Sequence, residues 1–260
     1  MTVLDRLASF ARTRVELAKQ RESLEITSRR ALDAPPGDFG FENALKGPQI
    51  SFICECKKAS PSKGVIAEHF PYLEIAKEYE AAGADCVSVL TEPKWFLGSD
   101  QFLKEIASEI SIPCLRKDFV VDPYMIYEAK NLGASAVLLI CAILNEQELR
   151  SDLELCDRLG LSALVETRNE DEIKTAVDLG ARMIGVNNRN LDDFSVDVER
   201  SQRLRELVPP NILFISESGA RERADIEKLR QFNVDAVLIG EAMMKAPDKK
   251  AKLQELRGNA

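Results

Sequence analysis

The chain has 260 residues, of which 45% are hydrophobic and 30% charged, and its formal net charge is −8. That is enough apolar material for one large α/β barrel or two smaller domains. The acidic balance speaks against a nucleic-acid partner, which needs a basic surface, and the longest apolar run, Ala136 to Leu144, is too short to cross a bilayer.

In chain order, residues 1–48 stand outside any repeating rhythm. Leu4, Leu7, Phe10 and Ala11 are spaced for one face of an amphipathic helix, and Ala34-Pro-Pro-Gly-Asp38 is a turn-rich connector. The segment is predicted to be an extension packed on a barrel that spans residues 49–260. From there the chain alternates strand and helix patterns. Eight strands are predicted: Ser51–Lys57, Cys86–Leu90, Ile112–Lys117, Ala136–Cys141, Ser162–Glu166, Met183–Asn187, Ile212–Ser216 and Ala236–Ile239. Several, such as Ala136–Cys141, are apolar on both faces, as parallel strands covered by helices are.

Between them lie helical periods with matching punctuation. One runs from Pro71 to Ala82 and stops at Gly83; others start at Pro123, Asn145 and Asn169 and stop at Gly133, Gly160 and Gly180. Asn or Asp-Pro before a helix and Gly after it are start and stop chemistry. Eight strand–helix units predict a (β/α)8 barrel of the α/β class.

The cysteines, at 54, 56, 86, 114, 141 and 156, include no CxxC pair and fall mostly in apolar runs, so they are expected to pack as small hydrophobes. The single histidine, His69, is expected in a surface loop. The N-terminus has no secretory apolar core, and a cytoplasmic protein is expected.

Charge gathers at the C-terminal ends of separate strands, which a barrel brings around one mouth. Glu55 and Lys57 share a face of the first strand because residues two apart point the same way. Lys117 ends the third, Glu166 the fifth and Asn187 the sixth, with Arg189 close behind. Two carboxylates and a lysine around one cavity support multistep proton transfer. A desolvated Lys117 beside Lys57 is expected to have a lowered pKa, suiting a general acid or a Schiff-base amine. Arg189 has the geometry to clamp a carboxylate. The stretch Ser216-Glu217-Ser218-Gly219-Ala220 after strand seven and Gly240-Glu241 after strand eight occupy the two loops with which barrels often hold phosphate.

Five segments together resemble the indole-3-glycerol-phosphate synthase family of tryptophan biosynthesis: Glu55-Cys-Lys-Lys-Ala-Ser-Pro-Ser62, Leu115-Arg-Lys-Asp-Phe119, Leu164-Val-Glu166, Gly185-Val-Asn-Asn-Arg189 and Ile215-Ser-Glu-Ser-Gly219. The resemblance covers nearly the whole chain. It implies ring closure, decarboxylation and dehydration of 1-(2-carboxyphenylamino)-1-deoxyribulose 5-phosphate, a small phosphorylated substrate, without metal or cofactor. It implies that Lys117 is the general acid and that Glu166 and Glu55 remove protons and stabilise charge. Lys57 and Arg189 would meet the substrate carboxylate, and Asn187 a sugar hydroxyl. Ser60, Glu217, Ser218, Gly219, Gly240 and Glu241 belong to the phosphate side. Phe96, Phe119, Leu138, Ile140 and Leu191 would enclose the aromatic ring. The alternatives are another phosphosugar isomerase, a class I aldolase using Lys117 as its Schiff base, and a barrel that only binds phosphosugars or serves as a scaffold.

Overall fold

A computed structural model describes residues 2–190 and 194–258. Its barrel strands are β1 Ser51–Cys56, β2 Cys86–Leu90, β3 Cys114–Lys117, β4 Ala136–Ile140, β5 Ser162–Thr167, β6 Met183–Asn187, β7 Leu213–Glu217 and β8 Ala236–Ile239; a small antiparallel ladder, Ala59–Ser60 with Gly64–Val65, lies in the loop after β1. The barrel strands are all parallel and close into one barrel in sequence order, β8 pairing back onto β1. The eight predicted strands are all present, with small shifts at their ends. β3 begins after Pro113, whose missing N–H cannot enter a ladder. Cys141 leaves the strand for a single 3₁₀ turn, Cys141–Ile143.

Alternation along the strands separates two cores. Ile53, Leu115, Leu138, Leu164, Met183, Ile215 and Leu238 fill the barrel interior. Their neighbours Phe52, Cys54, Val137, Val165, Phe214 and Val237 pack outward beneath the helices. Truncating one interior residue such as the fully buried Leu164 to alanine is expected to cost about 2–5 kcal/mol, because the closed ring of strands cannot collapse onto the void.

The helices begin and end where their caps dictate. Asn145 and Glu148 form a reciprocal capping box at the start of Glu146–Leu159, and Gly160 ends that helix in the left-handed region. Asp122 caps Pro123–Asn131, whose proline occupies the first turn.

The first 48 residues contain three helices, not one: α1 Val3–Arg21, α2 Leu24–Asp33 and α3 Gly40–Ala44. Leu4, Leu7 and Ala11 of α1 and Phe41 of α3 join the interior core. The short α3 sits at the N-terminal end of the barrel. There the Cys86 thiol donates to the Phe41 carbonyl, Glu42 N–H donates to Ser162 Oγ, and Arg182 pairs with the Glu42 carboxylate at 3.0 Å. No helix among the described residues is long and apolar enough to cross a membrane.

Candidate active site

Carrying strand alternation to the C-terminal end of the barrel turns the interior from apolar to charged. Glu55 follows Ile53, Lys117 follows Leu115, Glu166 follows Leu164, and Glu217 follows Ile215, each two residues on and therefore on the same inward face. These groups surround a cavity of about 630 Å³ at the mouth.

Lys117 lies at its floor. Its Nζ is 3.2 Å from Glu217 Oε2 and 3.8 Å from Glu166 Oε2, and all three side chains are largely buried. Burial works against the ammonium, but the carboxylates of Glu217, Glu166 and Glu55 outweigh it and raise the Lys117 pKa well above the ordinary lysine value. This corrects the expectation of a lowered pKa. Lys57 does not stand beside it as a repelling cation; its Nζ is held 2.5 Å from Glu55 Oε2. The raised pKa keeps the lysine an ammonium, so it carries a proton and is not the free amine that an aldolase needs.

Glu166 has the opposite history. Burial and the nearby Glu217 charge push its carboxyl up to about 7, with Lys117 and an Asn187 hydrogen bond pulling the other way. Asn187 Nδ2 donates to Glu166 Oε2 at 3.3 Å while its Oδ1 accepts the Arg189 N–H at 3.0 Å, so one amide fixes both the carboxylate and the turn. Burial alone would raise the Glu55 pKa too, but Lys57 and Lys117 hold it below the usual value. The two carboxylates named from the sequence are thus set apart by environment.

Glu217 is placed differently from its expected company. The sequence groups it with a phosphate loop, yet its carboxylate faces Lys117 across the barrel floor. Both of its oxygens are buried, and apart from the Lys117 ammonium 3.2 Å from Oε2 no donor among the described residues serves them. The signal was the period of two: Ile215 and Glu217 share a face. Gly185 makes room for it, since a Cβ there would lie 2.3 Å from Glu217 Oε1. Gly240 plays the same part for the other pair, its missing Cβ lying 2.5 Å from Glu55 Oε2 and 2.7 Å from Lys57 Nζ.

Ser60, Ser218, Gly219, Gly240 and Glu241 line one side of the cavity. Gly219 has φ 103 and Ser218 φ 65, a left-handed pair that turns the chain after β7. Glu241 opens the short helix Glu241–Lys245, and its carboxylate accepts from Lys245 Nζ at 2.7 Å, one turn along. Phe96, Phe119, Leu138 and Ile140 line the same cavity, the two phenyl rings 6.0 Å apart. Arg189 also lines it, its Nη1 donating to the Phe194 carbonyl. Leu191 lies outside the described residues.

Sequence reasoning missed the supports. Glu92 is fully buried and accepts the N–H groups of Lys94, Trp95 and Phe96, shaping the loop that presents Phe96. Arg116 points outward from β3 and is tied to Asp100 at 2.8 Å and Glu128 at 2.6 Å. The Arg116 pairs join positions 16 and 12 apart, whereas the Glu92 contacts fall within four residues and could have been found as a local carboxylate-capped turn. Leu7 of α1 also reaches the cavity wall.

The family model of indole-3-glycerol phosphate synthase matches residues 4–256. The chain belongs to the indole-3-glycerol phosphate synthase family. A family protein from Ruminiclostridium cellulolyticum is 52% identical over 259 residues, covering 99% of this chain and 100% of its own. One from Leuconostoc mesenteroides is 52% identical over 241 residues, covering 92% and 89% respectively. As a member of the indole-3-glycerol phosphate synthase family, the chain is a carboxy-lyase of tryptophan biosynthesis. More distant solved structures share the barrel alone. The 3-hexulose-6-phosphate synthase of Salmonella typhimurium superposes with a TM-score of 0.67 at 12% identity, over 81% of this chain and 98% of that one. The thiamine phosphate pyrophosphorylase of Pyrococcus furiosus gives 0.61 at 17% identity, over 84% and 96%.

Proposed function

We propose that the mouth of this barrel closes the indole ring of 1-(2-carboxyphenylamino)-1-deoxyribulose 5-phosphate, with Lys117 as the general acid. The observation that carries this reading is a buried ammonium held between Glu217 and Glu166 at the cavity floor. The ring carbon bearing the carboxylate attacks the ketone carbon. The carbonyl π pair moves to oxygen, which takes a proton from Lys117 Nζ. The pair of the C–CO₂ bond then returns to the cationic ring system and carbon dioxide leaves. Lys117, recharged with a proton from solvent, protonates the new hydroxyl, which leaves as water, and loss of a proton from the carbon attached to nitrogen completes the indole.

Glu166 takes that last proton: its pKa near neutrality suits a group that must accept and release one in each cycle. Glu55 and Glu217 keep the lysine charged. Ser60 and the backbone of Ser218, Gly219, Gly240 and Glu241 hold the phosphate, and the turn of the Glu241 carboxylate toward Lys245 supports that assignment. Arg189 and Lys57 meet the substrate carboxylate, Asn187 a sugar hydroxyl, and Phe96, Phe119, Leu138, Ile140 and Leu191 the aromatic ring. The reading includes a cytoplasmic setting without a nucleic-acid partner, supported by six free cysteines and a net charge of −8.

The test follows indole product by fluorescence in a folded Lys117→Met variant. Turnover should fall by about 10²–10⁴-fold while the substrate still binds, and Lys117→Arg should recover little because a guanidinium gives up its proton poorly. Near-normal turnover in Lys117→Met would exclude Lys117 as the acid.

A further inference from the structure

Helix α1 reaches the catalytic end of β3 through one buried ion pair. Arg14 lies 104 positions before Asp118, and its guanidinium grips that carboxylate with both prongs, Nη1 to Oδ2 at 3.1 Å and Nη2 to Oδ1 at 2.6 Å. The Asp118 side chain is fully buried, and two further donors converge on it. Thr91, just beyond β2, gives its hydroxyl to Oδ2 at 2.6 Å, and the Phe119 N–H donates to Oδ1 at 2.8 Å. One carboxylate therefore ties together α1, the end of β2 and the backbone immediately after Lys117.

We infer that Arg14 is a positioning residue for Lys117, acting through Asp118. Asp118 is the next residue along the backbone from Lys117, so how its carboxylate is tethered fixes the strand end from which Lys117 projects. Arg14 itself does not line the cavity. Its competitor is already in place: Arg116 Nη2 stands 3.9 Å from Asp118 Oδ2. Once Arg14 is truncated, the buried carboxylate has Arg116 as its remaining close cation and moves toward it, drawing the Phe119 N–H and the Lys117 backbone along. The same helix is braced against the neighbouring loop by Phe10, packed edge-on against Trp95 with centroids 5.4 Å apart, so α1 stays docked when the ion pair is removed. The inference rests on Lys117 being the acid.

The experiment measures kcat, KM and the pH profile of full-length Arg14→Ala, with Lys117→Met in parallel. A small displacement of a catalytic group costs rate rather than affinity, so kcat should fall about 10- to 100-fold with KM within threefold. The pH profile should keep its limbs, since Arg14 is not among the charges that set Lys117 or Glu166. Arg14→Lys keeps the charge without the two-pronged grip and should lose about threefold to tenfold. If Arg14→Ala does not fold, Arg14→Lys carries the test alone. A kcat within twofold of the unaltered enzyme in either folded variant overturns the inference, even if thermal stability drops, as does a shift of the pH limbs. Collapse of Lys117→Met with an unaffected Arg14→Ala removes this inference alone; full activity of Lys117→Met removes the acid assignment beneath it.

Discussion

Glu55 and Lys57, two residues apart on one strand face, meet at 2.5 Å directly over the bare Cα of Gly240. The approach is possible only because residue 240 has no side chain. The three atoms nearest to a methyl group there all belong to the ends of those two flexible side chains. Gly240→Ala should therefore fold normally, with a melting temperature within a few degrees of the unaltered protein. The pair would be forced apart, and turnover should fall by about tenfold or more, as misplaced groups at a reacting centre generally cost. Calorimetry alongside steady-state kinetics checks both halves; unchanged kinetics would show that the contact is dispensable.

The Glu166 carboxyl, pushed up to about 7, should appear as an acidic limb near that pH in the kcat/KM profile, where the base form is lost as the medium acidifies. Asn187 lowers that value by donating to the carboxylate. Asn187→Ala should move the limb to higher pH, whereas an unmoved or lowered limb would mean that a different group titrates.

The same carboxyl makes stability depend on pH. Its folded pKa lies above the unfolded value, so its contribution is present below about pH 4.5 and is lost as pH rises through about 7. Glu166→Gln removes the ionisable group. The variant should be more stable than the unaltered protein by roughly 1–3 kcal/mol above pH 7, and indistinguishable from it below about pH 4.5. Urea unfolding at both ends of the range would reveal the difference, and a variant less stable at pH 8 would reverse the sign.

Removing the cation should act on its neighbour. In Lys117→Met the charge that pulls the Glu166 pKa down is gone, so the carboxyl must titrate at higher pH than in the unaltered protein. Carbon-13 NMR of the glutamate side chains follows this in a variant expected to have no useful turnover.

For phosphate, a bulky side chain at position 219 is a poor probe. Its φ of 103 disfavours any L-residue, and a Cβ would lie 2.6 Å from Val198 Cγ1, so lost affinity would report backbone strain as much as a blocked site. Titrating inorganic phosphate and following amide resonances is cleaner. The largest shifts should fall on Gly219 and Gly240, and shifts centred elsewhere would relocate the subsite.

The barrel was readable because its signals are local: eight apolar runs of strand length, with capping residues and glycine stops at several of the helices between them. Lys117, Glu166 and Asn187 were readable because they interrupt apolar strands at the same relative position. The charge on Lys117 was not, since it depends on carboxylates contributed by β1, β5 and β7, whose spatial order the chain does not print. Glu217 was assigned to the loop it adjoins, although its place on the strand face decides where it points. The Arg14–Asp118 contact spans 104 residues and has no periodic signature at all. At residues 1–48, one strong apolar face was legible while the brief α3, with no side-chain cap, was not.

That small helix has a consequence for traffic. With Phe41 wedged among the first residues of the strands, the barrel is a vessel with a stopper at one end. A ligand as large as a phosphosugar therefore has to enter and leave the barrel by the one open mouth.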